Sequence, residues 1–203
     1  MTEILLATKN PGKKERYKRV LGRYEEITVL TLDDLDPMPT PEEPYLTAAE
    51  NARTKALTYF AHFQIPIIAS DEALYVDFLP ERDQIGVHAR RLRDKKTEMT
   101  DSEVYDWWQD MLSTHEGDLG GYWEYAYVYV HQDGSTKETV IRHPFDFVRN
   151  SDAPLIPGYV LSAFCRGAGK RAVYADLTEE ERLDADDELS DWLTDAVISG
   201  LIV

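Results

Sequence analysis

Glu3-Ile-Leu-Leu-Ala-Thr8-Lys9-Asn10-Pro11-Gly12-Lys13-Lys14 opens the chain with a short apolar run that passes straight into a turn and a helix start. Ile4, Leu5, Leu6 and Ala7 form a continuous apolar stretch, as in a buried strand. Thr8, Asn10 and Gly12 are turn and capping residues, and from Lys13 the apolar positions Tyr17, Val20 and Leu21 recur at helical spacing. A strand, a glycine-containing turn and a helix start bring backbone N–H groups, a helix dipole and lysines together, which is a physical recipe for holding a phosphate. The same residues also serve a simpler purpose, capping a helix in a strand–helix unit, and the segment alone leaves both readings open.

Working outward, the coarse pattern predicts strand 3–8, helix 12–22 and strand 26–31, then a Pro/Asp/Glu-rich loop over 33–44. A loop of that length is often functional. Helix 46–63 follows, then strand 65–69 and a short alternating strand 74–78. A helix is expected over 101–114. Strands 121–131 and 136–148 are joined by Gln132-Asp133-Gly134-Ser135, a hairpin signal. Residues 178–198 carry Leu189, Trp192, Leu193, Ala196 and Val197 on one face of an acidic helix. This order predicts an α/β fold with a long mixed central sheet flanked by helices, in two lobes with a cleft between them. The expected organisation is one domain over 1–203. Its phosphate and metal lobe takes residues 1–95 and 150–203, and its hairpin-bearing lobe residues 96–149.

Composition narrows the function. The chain has 203 residues, a formal net charge of −16 and one cysteine, Cys165. One cysteine rules out an intrachain disulfide framework and suits a reducing, cytoplasmic setting. No apolar run approaches the roughly 18 residues of a membrane span, and the start lacks a signal-peptide layout. An acidic body repels nucleic acid, yet its cations are concentrated. Seven of the 22 basic residues lie in the first 23 positions, and Arg82, Arg90, Arg91, Arg93, Lys95 and Lys96 form a second island. That distribution suits a small anionic ligand, with Lys18, Arg19 and Arg23 expected on a solvated face.

Two further segments carry candidate chemistry. Ser70-Asp71-Glu72-Ala73-Leu74 follows the apolar strand, so the acids are expected in a turn at its carboxyl end, where α/β sheets bind ligands. Asp71 there can bind a cation, orient a water, or be a plain turn residue. Glu43 precedes the helix on which Asn51 and Lys55, four residues apart, share a face.

Together these segments resemble the inosine triphosphate pyrophosphatase family, which cleaves deaminated purine nucleoside triphosphates to monophosphate and pyrophosphate. Thr8, Asn10 and Lys13 match T-x-N-x-x-K. Glu43, Thr47, Glu50, Asn51, Ala52, Lys55 and Ala56 match the second signature, and Ser70 to Leu74 the acidic D-D-S-G-L-like segment. Gly86-Val87-His88-Ala89-Arg90 echoes a fourth. The resemblance is good over 3–92. It implies Mg²⁺ on Glu43 and Asp71, with Asp71 and Lys55 catalytic. It implies a nucleoside triphosphate held by Thr8, Asn10, Lys13, Lys55, Ser70, Arg90, Tyr159 and Arg182, and a homodimer that binds neither nucleic acid nor membrane.

The C-terminal half departs from that pattern. Val160 replaces the acid of the base-pocket loop, Arg182 stands for a lysine, and Asp186-Asp187-Glu188 stands where Ser-His-Arg is expected. Arg16 replaces a usual glutamate. The C-terminal changes fall on base recognition. They leave room for a different modified nucleotide as substrate, or for a relative that binds nucleotides with weak or no turnover.

Overall fold

The computed structural model describes residues 2–117, 119–149 and 151–197. Met1, Asp118, Asn150 and 198–203 lie outside them, including the last residue of the helix expected over 178–198.

Six strands form one mixed sheet: β1 (Thr2–Leu6), β2 (Ile27–Thr31), β3 (Ile67–Val76), β4 (Gly120–Val130), β5 (Thr136–Phe147) and β6 (Cys165–Gly167), in the order β2-β1-β3-β4-β5-β6. β1 runs parallel to β2 and β3, while the other neighbours are antiparallel. Ile4, Leu5 and Leu6 are fully buried because helices cover both faces of this parallel part. On one face lie α1 (Pro11–Leu21) and α5 (Asp187–Ala196), packing Tyr17, Val20, Leu189 and Leu193 on Ile4 and Tyr127. On the other lies α2 (Ala48–Phe63). Its Ala48, Ala52 and Ala56, four residues apart and wholly buried, let the helix lie close to Ala69 and Ala126. The far end of the sheet is closed by α3 (Asp101–Thr114), whose Val104, Trp108 and Leu112 meet Phe145, Phe147 and Phe164. Each such large apolar side chain contributes about 1.5–3 kcal/mol on burial.

The structure corrects the expected turn at Ser70. The two strands expected at 65–69 and 74–78 are one strand, β3, and Ser70, Asp71 and Glu72 lie inside it. The cause is β4, which offers an unbroken antiparallel ladder from Ile67↔Val130 to Val76↔Gly121. β1 pairs with β3 only through Ile67 and Ile68, then leaves. Ser70–Glu72 therefore extends past the carboxyl end of β1 with its free edge toward the opening loop. The period of two sends Asp71 to the α2 side and Glu72 to the α1 side.

The acidic C-terminal helix is also two helices, α4 (Glu179–Ala185) and α5, broken at Asp186. Asp186 is 1% exposed. Its carboxylate accepts Arg16 Nε at 2.6 Å and Arg19 Nη2 at 2.8 Å. Arg19, expected on a solvated face, thus lies in a buried ion cluster. The helical period leaves it there because Asp186 supplies the charge that solvent would otherwise supply.

Candidate active site

Three segments converge at the carboxyl end of β1. The opening turn comes first. Asn10 has extended backbone and caps α1, its Oδ1 accepting Lys13 N–H at 3.1 Å. Thr8 Oγ1 accepts Asn10 N–H at 3.1 Å. Pro11 at the first helical position has no N–H to offer. With the Lys13 amide also engaged, the anion-binding capacity of this turn rests more on lysine ammonium groups than on the backbone cradle expected from the sequence. Lys13 is 9% exposed and its Nζ lies 3.3 Å from Glu72 Oε1.

The second segment is the acidic loop with the start of α2. Lys9 Nζ donates to Thr40 Oγ1 at 2.8 Å, and Lys14 Nζ reaches Asp33 Oδ2 at 2.5 Å, so the loop folds back along the opening turn. That path delivers Glu43 to Lys55, with Oε1 2.5 Å from Nζ. Thr47 caps α2 through Glu50 N–H. Asn51, 1% exposed, holds Tyr45 by both its N–H and its carbonyl, and its Nδ2 also lies 3.1 Å from Asp71 Oδ2.

The third segment is β3. Lys55 Nζ donates to the Ser70 carbonyl at 3.1 Å, so Ser70 meets the site through its backbone. Burial raises the Asp71 pKa above the usual carboxylate value. Lys13 and Lys55 pull it down, Glu43 pushes it up, and the Asn51 hydrogen bond favours the ionised form. A buried carboxyl held above its normal range, beside two ammonium groups, is a better proton acceptor than an ordinary surface carboxylate.

The donor set bears on the metal. Lys13 and Lys55 face Glu43, Asp71 and Glu72, a net charge of −1 when all are ionised. A polyphosphate entering such a site needs a cation with it. Among the described residues no group of three His, Cys, Asp or Glu side chains converges as a closed metal cage. Glu43 and Asp71 offer hard carboxylate oxygens, and Mg²⁺ is commonly held by one or two carboxylates plus substrate phosphates. These residues fit an ion that binds together with its phosphorylated ligand.

The remaining candidates take other places. Arg90 donates to Asp101 Oδ1 at 2.7 Å and to the Met99 carbonyl at 2.9 Å. Asp101 Oδ2 accepts Gly158 N–H, and the Gly158 carbonyl accepts Asn10 Nδ2 at 3.0 Å. Arg90 therefore braces the opening turn from behind. The Tyr159 ring packs on Gly12, where a Cβ would lie 2.5 Å from Tyr159 Cδ2, and its buried hydroxyl has no partner among the described residues. Arg182 donates to the Tyr174 and Ala175 carbonyls and holds the C-terminal segment together. Sequence reasoning missed Asp101, and it noted Asp186 only as a departure without its pairing to Arg16 and Arg19. Both lie far along the chain from the groups they hold, and no local pattern marks them.

Comparison with known proteins bears on the family and the fold. Residues 4–141 match the model of the Ham1 family. The dITP/XTP pyrophosphatase of Oceanobacillus iheyensis is 32% identical over 97 residues, covering 48% of this chain and 48% of that protein. The dITP/XTP pyrophosphatase of Geobacillus kaustophilus is 37% identical over 91 residues, covering 45% and 43%. The chain thus matches about half the length of these curated relatives. Among solved structures, a HAM1 protein from Coxiella burnetii superposes with a TM-score of 0.68 at 22% identity, over 97% of this chain and 100% of that one. The Staphylococcus aureus Ham1 protein gives 0.68 at 21% identity, over 95% and 98%. The fold is therefore shared along nearly the whole chain, and with the match over 4–141 the chain belongs to the Ham1 family.

Proposed function

We propose that the chain is a Mg²⁺-dependent nucleoside triphosphate pyrophosphatase that hydrolyses a non-standard purine nucleoside triphosphate to the monophosphate and pyrophosphate. One observation carries the proposal: Lys13, Lys55, Glu43 and Asp71, from separate segments, meet at the end of β1. The names of the matched relatives support the substrate class.

Lys13 and Lys55 bind phosphate oxygens and offset the charge that develops as the bond breaks. Glu43 holds Lys55 in place while the phosphate is absent. Asp71 orients a water toward the α-phosphorus and accepts its proton. The new bond joins water oxygen to the α-phosphorus, and the bond to the bridging oxygen breaks, releasing pyrophosphate. Glu43 and Asp71 would hold Mg²⁺, which when bound supplies charge neutralisation on the phosphates. Asn51 fixes the Asp71 carboxylate. We further propose that residues 1–203 act as one domain, in a homodimer, and in the cytoplasm, where the single unpaired cysteine is at home.

A second reading rests on a specific contact. Lys13 is already neutralised by Glu72, and such self-occupancy suits a nucleotide-binding relative with weak turnover. A panel of nucleoside triphosphates with Mg²⁺, scored for pyrophosphate release, separates the two. Turnover of a purine analogue supports hydrolysis. Turnover of another modified nucleotide alone moves the specificity, and binding without turnover supports the second reading.

A further inference from the structure

The second basic island is divided in a way the catalytic proposal does not use. Arg82 pairs with Asp83, Arg90 with Asp101 and Glu98, and Arg93 with Glu103. Arg91, Lys95 and Lys96 make no ion pair among the described residues, although acids outnumber bases by 38 to 22 in this chain, and of the three Arg91 and Lys95 line a cavity. That cavity, of about 190 Å³, lies between residues 79–95 and α3. Its apolar lining is Leu79, Ile85, Leu92, Trp107 and Met111. His88 lines it too, with Nδ1 buried and unpartnered, and burial beside Arg91 and Lys95 keeps its imidazole below its usual pKa. Asp83 is the one carboxylate on the lining, and Arg82 engages it at 3.4 Å.

The backbone fixes this arrangement. Arg91 N–H donates to the His88 carbonyl at 2.7 Å, and Lys95 N–H to the Arg91 carbonyl at 2.8 Å. Lys95 sits at φ 58°, a left-handed conformation uncommon for lysine, with Nζ 3.2 Å from the Gln84 carbonyl.

We propose that this cavity is a binding site for a small organic anion. A planar apolar body lies on Trp107 and the aliphatic wall, and a carboxylate or phosphate head is held by Arg91 and Lys95. Guanidinium is suited to either head through paired N–H donors. The volume is below the roughly 300 Å³ at which drug-sized pockets begin, so the occupant is smaller than a nucleotide. None of Lys13, Lys55 and Asp71 lines the cavity, and the proposal does not depend on the proposed activity.

The test is a titration of the full chain followed at the Trp107 indole N–H resonance, assigned with Trp107→Phe. Benzoate and phenyl phosphate are the probes, with benzyl alcohol and inorganic phosphate as controls. Both aromatic anions are expected to bind at least tenfold tighter than either control, and the tighter of the two identifies the preferred head. Arg91→Gln is expected to weaken both at least fivefold, with an unchanged circular dichroism spectrum. Lys95→Gln, at an exposed position that tolerates change, is expected to weaken them less. Equal binding of benzoate and benzyl alcohol, phosphate binding as well as phenyl phosphate, or unchanged affinity in Arg91→Gln would each overturn the proposal.

Discussion

Replacing Asp186 by alanine removes the one carboxylate that, among the described residues, pairs with the buried Arg16 and the part-buried Arg19. The Asp186 side chain is 2% exposed, that of Arg16 8% and that of Arg19 13%, with N–O distances of 2.6 and 2.8 Å. Arg16 also donates to the Tyr127 hydroxyl at 2.9 Å and lies 4.9 Å over the Tyr125 ring, so it cannot swing to water without breaking that packing. Breaking a buried pair from one side costs about 3–5 kcal/mol, because the remaining charge stays buried and unpaired. For a chain of this size, each kcal/mol moves the midpoint temperature by roughly 2–4 °C, so the expected fall is about 6–20 °C. Urea unfolding measures it directly, with an unchanged slope confirming that stability itself has moved. The exposed Arg53–Glu138 pair is the internal control: Glu138→Ala is expected to cost no more than about 1 kcal/mol. Replacing Arg16 and Arg19 by Met together with Asp186 by Leu should recover much of the loss, since no charge of the cluster then remains. A loss below about 1 kcal/mol for Asp186→Ala would refute the view that this acid holds α1, and with it Lys13, to the C-terminal helices.

Gly12→Ala places a methyl 2.5–3.0 Å from three Tyr159 ring atoms, an overpacking expected to cost about 1–3 kcal/mol, partly offset by helix propensity of about 1 kcal/mol. In a Tyr159→Ala background the same change should be neutral or stabilising, and equal effects in both backgrounds would contradict the packing. Asp71→Asn is expected to lower turnover at least about 100-fold. It should also raise stability at neutral pH: burial raises the folded-state pKa, so the folded chain loses stability as pH climbs from the ordinary carboxylate value through the raised one. That gain should vanish in acid, and a pH-independent difference in urea midpoints would count against it. Glu72→Gln frees Lys13 and is expected to lower KM for the triphosphate severalfold; a higher KM would show that Glu72 helps to bind substrate.

Much of the fold follows from local pattern. Asn10 and Thr47 cap the helices expected at 12–22 and 46–63, and Gly134 at φ 83° turns the hairpin. The misreadings share one origin, pairing with distant partners. Ser70–Glu72 resembles a turn because polar residues interrupt an apolar run, but β4 pairs along its whole length. The 178–198 segment carries Leu189, Trp192, Leu193, Ala196 and Val197 on one face, but Asp186 is drawn away by Arg16 and Arg19, about 170 residues earlier. Glu43, Lys55 and Asp71 were legible because each lies in a compact local signature. Their mutual distances were not, since a 31-residue return to Thr40 by Lys9 sets the course of the loop that carries Glu43.

The most direct measurement is hydrolysis of a panel of nucleoside triphosphates with Mg²⁺ in ¹⁸O-labelled water, with products resolved by mass. Attack at the α-phosphorus predicts one pyrophosphate per monophosphate, with the label in the monophosphate. Lys55→Ala and Asp71→Asn should abolish that product while the chain stays folded. Label in inorganic phosphate with a nucleoside diphosphate as co-product, or no product from any substrate with the wild-type fold intact, would contradict it.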